Sequence, residues 1–197
     1  MTDSPSARVP RLRPDQLTDE QRQLYEELLH GPRGQGRQFF ALADSDGVLT
    51  GPFNVMLTSP RVGTALQRLG AALRYQTDLP DESRELVILV VAPHVGCDFE
   101  WYAHETLARH HGVDDEVIAA LHDGHPPSLA CETQHAAYDL AVALLRGEDI
   151  SDERYEAMAA VLGTSAMFDV SAIVGYYWLL ATQLRLFRVD QPANEGR

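Results

Sequence analysis

Positive charge is scarce in this sequence. Sixteen basic side chains stand against 29 acidic ones in 197 residues, a formal net charge of −13. No basic cluster exists to neutralise phosphates, which argues against nucleic acid or an anionic membrane surface as a partner. Cysteine is scarce too. Cys97 and Cys131 lie in separate segments without a pairing pattern, so neither a disulfide framework nor a zinc ribbon is expected, and a reducing cytoplasm fits best. No run of 18 apolar residues occurs, so no membrane-spanning helix is expected. Met1 to Pro14 is polar and proline-punctuated, unlike the charged start and apolar core of a secretory leader. What is present is ordinary for a globular chain, with 45% hydrophobic and 23% charged residues. The length suffices to bury a substantial core without disulfide support.

Taken in order, residues 1–14 read as a flexible N-terminal arm, 15–190 as a single all-α domain and 191–197 as a flexible C-terminal tail. Thr18-Asp19-Glu20-Gln21 is a capping box, and Leu17, Leu24, Tyr25, Leu28 and Leu29 recur at helical spacing up to Gly31-Pro32. A long loop to Gly51 follows, with Phe39, Phe40 and Leu42 as apolar anchors; loops of this length are more often lids or oligomer arms than idle chain. Ser59 and Pro60 open a helix. Its expected buried stripe is Val62, Ala65, Leu66, Leu69, Ala72 and Leu73. Pro80-Asp81-Glu82 starts the next helix, whose tail, Leu86 to Ala92, is apolar all round. A strand shows that pattern as well, but no second strand-like run exists to pair with it.

A helix then runs to Gly112, and Asp114 caps a short one holding Val117, Ile118 and Leu121. Another, over 129–147, presents Ala137, Leu140, Ala141, Leu144 and Leu145. One runs from Ser151 to Gly163, and a long one continues from Thr164 or Ser165 through Phe187. The expected architecture is all-α, about eight or nine helices with antiparallel neighbours. The last helix is apolar on more than one face, which points to burial both within the chain and against a partner.

The densest group of reactive side chains lies between Pro93 and His104. Cys97, Glu100 and His104 fall at i, i+3 and i+7, one face of a helix. Glu100 is placed to orient the His104 imidazole, while Cys97 lies roughly 10 Å from His104 along the axis. An imidazole with a flanking carboxylate moves protons near neutral pH. Glu85, just before the apolar run, is expected to be pushed toward its neutral form by burial and to act as a second acid or base. Cys97 near a helix N-terminus is expected to have a depressed pKa. His94, Trp101 and Tyr102 are candidate substrate contacts, whereas His110 and His111 close a helix and answer its dipole. No metal is expected, because residues seven apart on one helix cannot both reach an ion at about 2.0–2.3 Å. No cofactor is expected either.

The run Glu100-Trp101-Tyr102-Ala103-His104, preceded by Arg84-Glu85-Leu86, is similar to the carboxymuconolactone decarboxylase family of the alkylhydroperoxidase-D-like all-α superfamily. The resemblance extends from Gly51-Pro52-Phe53-Asn54 and Ser59-Pro60 through Leu73-Arg74-Tyr75 and Gly112-Val113 to Val174-Gly175-Tyr176-Tyr177. It implies an alkylhydroperoxidase-D-like helical bundle, a small-molecule substrate and a homo-oligomer, trimer or hexamer. In the thiol-peroxidase branch a Cys-x-x-Cys pair precedes the histidine. By position, Cys97 matches the first cysteine, Glu100 replaces the second, His104 matches the histidine and Glu85 the upstream glutamate. Without a thiol at position 100 the usual disulfide cannot form, and Cys97 would need Cys131 or an outside thiol. The branch bearing Glu here resembles the decarboxylase side. That implies a cofactor-independent lyase or isomerase acting by acid–base catalysis on a small carboxylated or lactone substrate. Thiol-dependent peroxide reduction through Cys97 and a non-catalytic oligomeric binding protein are the alternatives.

Overall fold

The computed structural model describes residues 7–35 and 41–189. Among them the chain is all-α, as expected, with one isolated antiparallel bridge between Ala43 and Leu49 and no extended strand. After a 3-10 turn at Pro14–Gln16 come α1 (Asp19–His30), α2 (Pro32–Gln35), α3 (Pro52–Met56), α4 (Pro60–Tyr75), α5 (Asp81–His94), α6 (Asp98–His110), α7 (Asp115–His122), α8 (Glu132–Arg146) and α9 (Asp152–Phe187). Two compact units divide the described chain: Leu73–Ala181 forms one, and the segments flanking it form the other.

In the flanking unit, α1 starts from the expected capping box. The Thr18 N–H donates to Gln21 Oε1 at 3.0 Å and the Gln21 N–H to Thr18 Oγ1 at 3.4 Å. Each bond satisfies a donor that the first helical turn leaves unpaired. The described part of the N-terminal arm is anchored: Arg8 N–H donates to Phe187 O at 2.9 Å and Asn54 Nδ2 to Pro10 O at 3.0 Å. The rest of that arm, the tail 191–197 and the anchors Phe39 and Phe40 lie outside the described residues. The stretch expected to be one long loop holds α2, and α3 follows directly after Gly51. The same stretch also holds a turn in which Asp44 Oδ1 accepts the N–H groups of Asp46 and Val48, at 2.9 and 3.0 Å.

The expected inner face of α4 is wrong. Val62 and Leu69 are 56% and 43% exposed, while Gly63, Gln67 and Gly70 are buried. Close approach decides this. A Cβ on Gly63 would lie 2.5 Å from Met56 O and 2.9 Å from Leu24 Cδ2, so the helix packs on its glycine edge and turns its larger apolar residues outward. A rule that assigns apolar residues to the inside cannot see a contact made by backbone.

In the Leu73–Ala181 unit, α5 is the central element and packs against α6, α7 and α8. Every residue from Ser83 to Ala92 is buried. A helix with neighbours on three sides needs no polar face, which explains an apolar run that imitates a strand. Val117, Ile118 and Leu121 of α7 and Ala137, Leu140 and Ala141 of α8 close around it. Leu144, expected inside, is 37% exposed. Gly147 ends α8 at φ 63, and Gly163, non-helical at φ 75 and ψ 156, divides α9 into the two helices expected on either side of it. Against the expectation of no spanning segment, α9 is long and apolar enough to cross a membrane by length and composition, with only a third of its most apolar stretch buried.

The Ser83 hydroxyl is buried and has no hydrogen-bond partner among the described residues. Leaving a polar group unsatisfied costs stability, so Ser83→Ala should raise it by about 1 kcal/mol, whereas Leu86→Ala should lower it by about 2–5 kcal/mol. Urea unfolding of both variants checks this; a loss of stability in Ser83→Ala would show that the hydroxyl is bonded.

Candidate active site

α5 and α6 form a hairpin turned by Val95, Gly96 and Cys97. Gly96 sits at φ 63, which side chains disfavour, and the Cys97 N–H reaches back to Ala92 O at 3.0 Å. In an antiparallel hairpin, residues equally far from the turn come side by side. Glu85 lies ten residues before Val95 and His104 nine after it, and they meet: Glu85 Oε2 is 2.7 Å from His104 Nδ1. Their side chains are 1% and 7% exposed.

Arg84 completes the inner side of the group. Its Nε and Nη2 each lie 3.3 Å from Glu85 Oε1, and its Nη1 lies 2.6 Å from Asp81 Oδ1. Asp81 is exposed and also faces His111, with Nδ1 3.4 Å from Oδ2. On the other side of the ring, Glu100 Oε2 stands 3.7 Å from His104 Nε2. That is too long for a hydrogen bond but close enough for strong electrostatic coupling. Tyr177 of α9 meets the His104 ring edge-on, centroids 5.0 Å apart, and Tyr176 backs Tyr177 at 5.3 Å.

Burial pushes the Glu85 carboxyl up, but the charge and hydrogen bond of His104, with the charges of Arg84 and Arg74, outweigh it and hold the carboxyl below its usual range. This reverses the expectation drawn from burial alone, since that argument saw the apolar run and not the cations. An ionised carboxylate only accepts hydrogen bonds, so His104 Nδ1 carries a hydrogen, and Nε2 is the ring nitrogen that faces Glu100. Burial pushes the Tyr177 phenol well above its ordinary value, and the charges of Glu85 and Glu100 add to the effect. The Cys97 expectation also reverses. Cys97 is the N-cap residue of α6, but its thiol is pushed up to about 11, first by burial and then by the Glu100 charge, against the pull of the Glu100 and Phe99 N–H groups.

The structure therefore brings Glu85, Glu100 and His104 together, with Cys97 at the N-terminus of the same helix. The candidate substrate contacts are held differently. His94 is exposed with its ring tilted against Trp178 at 5.7 Å, Trp101 is half-buried against the His122 ring at 5.1 Å, and Tyr102 is half-buried. Arg84, which the sequence offers with Arg74 as a cation for an anionic substrate, is instead engaged by Glu85 and Asp81, and Tyr177, which reads from sequence as packing or pocket wall, packs on the His104 ring. Among the described residues no group of three His, Cys, Asp or Glu side chains is arranged to hold a metal ion.

Removing one partner of a buried ion pair strands the other, so Glu85→Gln should cost about 3–5 kcal/mol in urea unfolding at neutral pH. A carboxyl lowered in the folded state contributes stability that is present above its unfolded value, 4.5. That stability is lost as pH falls through the lower folded value. The difference between wild type and Glu85→Gln should accordingly narrow below about pH 4.5. Equal stability and equal acid sensitivity in the two proteins would show that Glu85 is not an ionised, paired group.

Residues 60–143 match the carboxymuconolactone decarboxylase family. No curated protein matches the chain in sequence. Among solved structures, the alkylhydroperoxidase AhpD core of an uncharacterized peroxidase-related protein from Ralstonia eutropha JMP134 is similar, with TM-score 0.74 and 17% identity over 96% of this chain and 94% of that one. The debrominase Bmp8 follows at TM-score 0.69 and 15% identity, covering 96% and 94% of the two chains. An uncharacterized peroxidase-related protein from Silicibacter sp. TM1040 reaches TM-score 0.68 and 16% identity over 98% and 94%. Identities this low speak for the fold alone. The family match runs from α4 into α8 and so contains Glu85, Glu100 and His104; over residues 60–143 the chain is similar to the carboxymuconolactone decarboxylase family, and its fold is the AhpD-like all-α fold.

Proposed function

We propose that the chain is a cofactor-independent lyase or isomerase that works by acid–base catalysis on a small carboxylated or lactone substrate. The observation that carries this reading is the buried His104, fixed through Nδ1 by Glu85 at 2.7 Å and facing the Glu100 carboxylate with Nε2 at 3.7 Å. A lone pair and a carboxylate oxygen at that separation repel unless a proton resides on one of them. A proton held between the two groups can pass from one to the other. Loss of carbon dioxide from a substrate carboxylate leaves an electron pair on carbon, and a proton from Nε2–H or from Glu100 would quench it. In an isomerisation Nε2 would take a proton next to a carbonyl and return it to another carbon.

Thiol-dependent peroxide reduction through Cys97 is the second reading, and the peroxidase-related structural neighbours are what favour it. A thiol with its pKa at about 11 is ionised in roughly one molecule in ten thousand at pH 7. Cys131, the other thiol, is exposed at the start of α8. Both points favour the acid–base reading. Lactone carboxylates and β-keto acids screened by mass spectrometry will identify a turned-over compound; on it, His104→Ala and Glu100→Gln should each lower kcat by about 10²–10⁴ while Cys97→Ser changes little. Peroxide consumption that needs Cys97 but not His104 would establish the second reading, and ligand binding without turnover at any pH would leave a binding protein.

We also infer that α9 is covered by a second copy of the chain. Phe168, Ala172, Gly175 and Leu179 recur at the 4-3-4 spacing of a helix-pairing seam; Phe168 and Leu179 are 71% and 41% exposed. Two copies each carrying −13 repel wherever acidic side chains meet, and residues 170–184 contain no charged residue at all. The opposite side of α9 is committed to the protein core through Ile173, Tyr177 and Leu180, so the helix cannot be surrounded by lipid. Sedimentation should give at least twice the chain mass for wild type, falling to one chain mass in Phe168→Glu. Monomeric wild type that floats with liposomes would assign this face to a membrane instead.

A further inference from the structure

The arginines of the Leu73–Ala181 unit are Arg74, Arg84, Arg109, Arg146 and Arg154. Arg84 pairs with Asp81 and Glu85, Arg109 with Glu105 and Asp115, and Arg146 and Arg154 with Glu148. Arg74 differs. Among the described residues its guanidinium lies 5.7 Å from the Tyr75 ring and forms no ion pair. It is half-buried. In a chain with 29 acidic residues, a partly desolvated arginine without a carboxylate is anomalous, because desolvated charge is stabilised by a counter-charge.

Its position gives the anomaly meaning. Arg74 occupies the last turn of α4, and the segment that follows is tied to α9. The Asp78 N–H donates to Asp169 Oδ2 at 3.3 Å, and Ser165 Oγ donates to Asp78 Oδ2 at 3.1 Å. Tyr177 follows Asp169 by eight residues, about 12 Å along the same helix. The positive charge of Arg74 acts on both Glu85 and Tyr177. Both lie against the His104 ring, at 2.7 Å and 5.0 Å. Arg74 is thus a cation within electrostatic reach of the buried group and bonded to none of it.

We propose that Arg74 is the anion-binding group of this site and takes a carboxylate of the substrate on its guanidinium, setting the reacting carbon toward His104 Nε2. The inference rests on the acid–base reading of the site. A planar guanidinium matches a carboxylate with two parallel N–H bonds, a geometry that lysine cannot reproduce. The carboxylate held there is a spectator. Pairing a departing carboxylate with arginine would stabilise it against losing carbon dioxide, so any group that leaves must be elsewhere on the molecule. A local cation also lets a chain of net charge −13 admit an anionic substrate.

The test reads binding rather than turnover. Paraconate, glutarate and benzoate, each beside its methyl ester, are titrated by calorimetry into wild type, Arg74→Gln, Arg74→Lys and His104→Ala, with circular dichroism confirming the helical fold. Wild type should bind at least one acid about tenfold or more tighter than its ester. Arg74→Gln should lose about that factor for the acid and keep its affinity for the ester, Arg74→Lys should fall between, and His104→Ala should bind as wild type does. Wild-type affinity for the acid in Arg74→Gln, or no preference of wild type for any acid over its ester, overturns the proposal; if Arg74→Gln does not fold, unchanged acid affinity in Arg74→Lys does the same. Acid binding that depends on Arg74 in a protein whose turnover survives His104→Ala would sink the acid–base reading and leave the anion site standing.

Discussion

The hydrogen bond between Glu85 and His104 is the contact on which the rest of the site depends. It crosses the α5–α6 hairpin at 2.7 Å in the interior of the Leu73–Ala181 unit. Burying a carboxylate beside an imidazole is costly unless both are oriented and compensated. The compensation comes from the neighbours in sequence: Arg84 precedes Glu85 on α5, and Asp81, one turn earlier, holds the far side of the guanidinium. A row of alternating charges therefore runs from the exposed end of α5 to the imidazole. Each member fixes the rotamer of the next, so the ring is held with Nδ1 on Glu85 and Nε2 toward Glu100. Precise presentation of a single proton-exchanging atom is what a cluster this deeply buried can provide and a surface Glu–His pair cannot.

The same packing explains why the central helix tolerates two ionisable residues. α5 is surrounded by α6, α7 and α8, so every position from Ser83 to Ala92 must be buried, and the helix is apolar wherever chemistry does not require otherwise. Arg84 and Glu85 sit in its first turns. There, one end of the charge row can still reach solvent through Asp81, which is exposed. About one and a half helical turns further on, at Leu89 and Val90, the same pair would be sealed off and its desolvation uncompensated. The boundary between polar start and apolar tail is thus a compromise between solvating the charges and shielding the reaction from water.

Much of this was legible before any coordinates. The capping box at Thr18, the helix start at Pro80-Asp81 and the stops at Gly112 and Gly147 are local backbone chemistry, and local chemistry is written in consecutive residues. Glu100 and His104 on one helical face followed from spacing. The sequence paired His104 with Glu100, and the resemblance only placed Glu85 among the site residues; that Glu85 is the carboxylate bonded to His104 was not legible, since nothing periodic links residues on different helices. What could not be read depends on the environment. The inner face of α4 is chosen by the backbone contact that Gly63 permits, and hydrophobicity counts no backbone. The directions of the Glu85 and Cys97 shifts depend on whether cations or apolar atoms surround them. Sequence reports the burial of each but not its neighbours.

Positions 97 and 100 show how one substitution can redirect such a site. A carboxylate at 100 raises the neighbouring Cys97 thiol, which burial has already pushed to about 11, and the α6 N–H groups cannot offset both effects. On the acid–base reading proposed above, the same carboxylate, facing Nε2, is what equips His104 to exchange a proton. What favours proton transfer therefore suppresses the thiolate, and the two chemistries compete for one side chain rather than coexisting in one pocket. A thiol at position 100 would remove the negative charge from both neighbours at once. The scaffold needs no change of fold to pass between thiol and proton chemistry, which makes the residue three places after Cys97, and not the cysteine itself, the informative one in this chain.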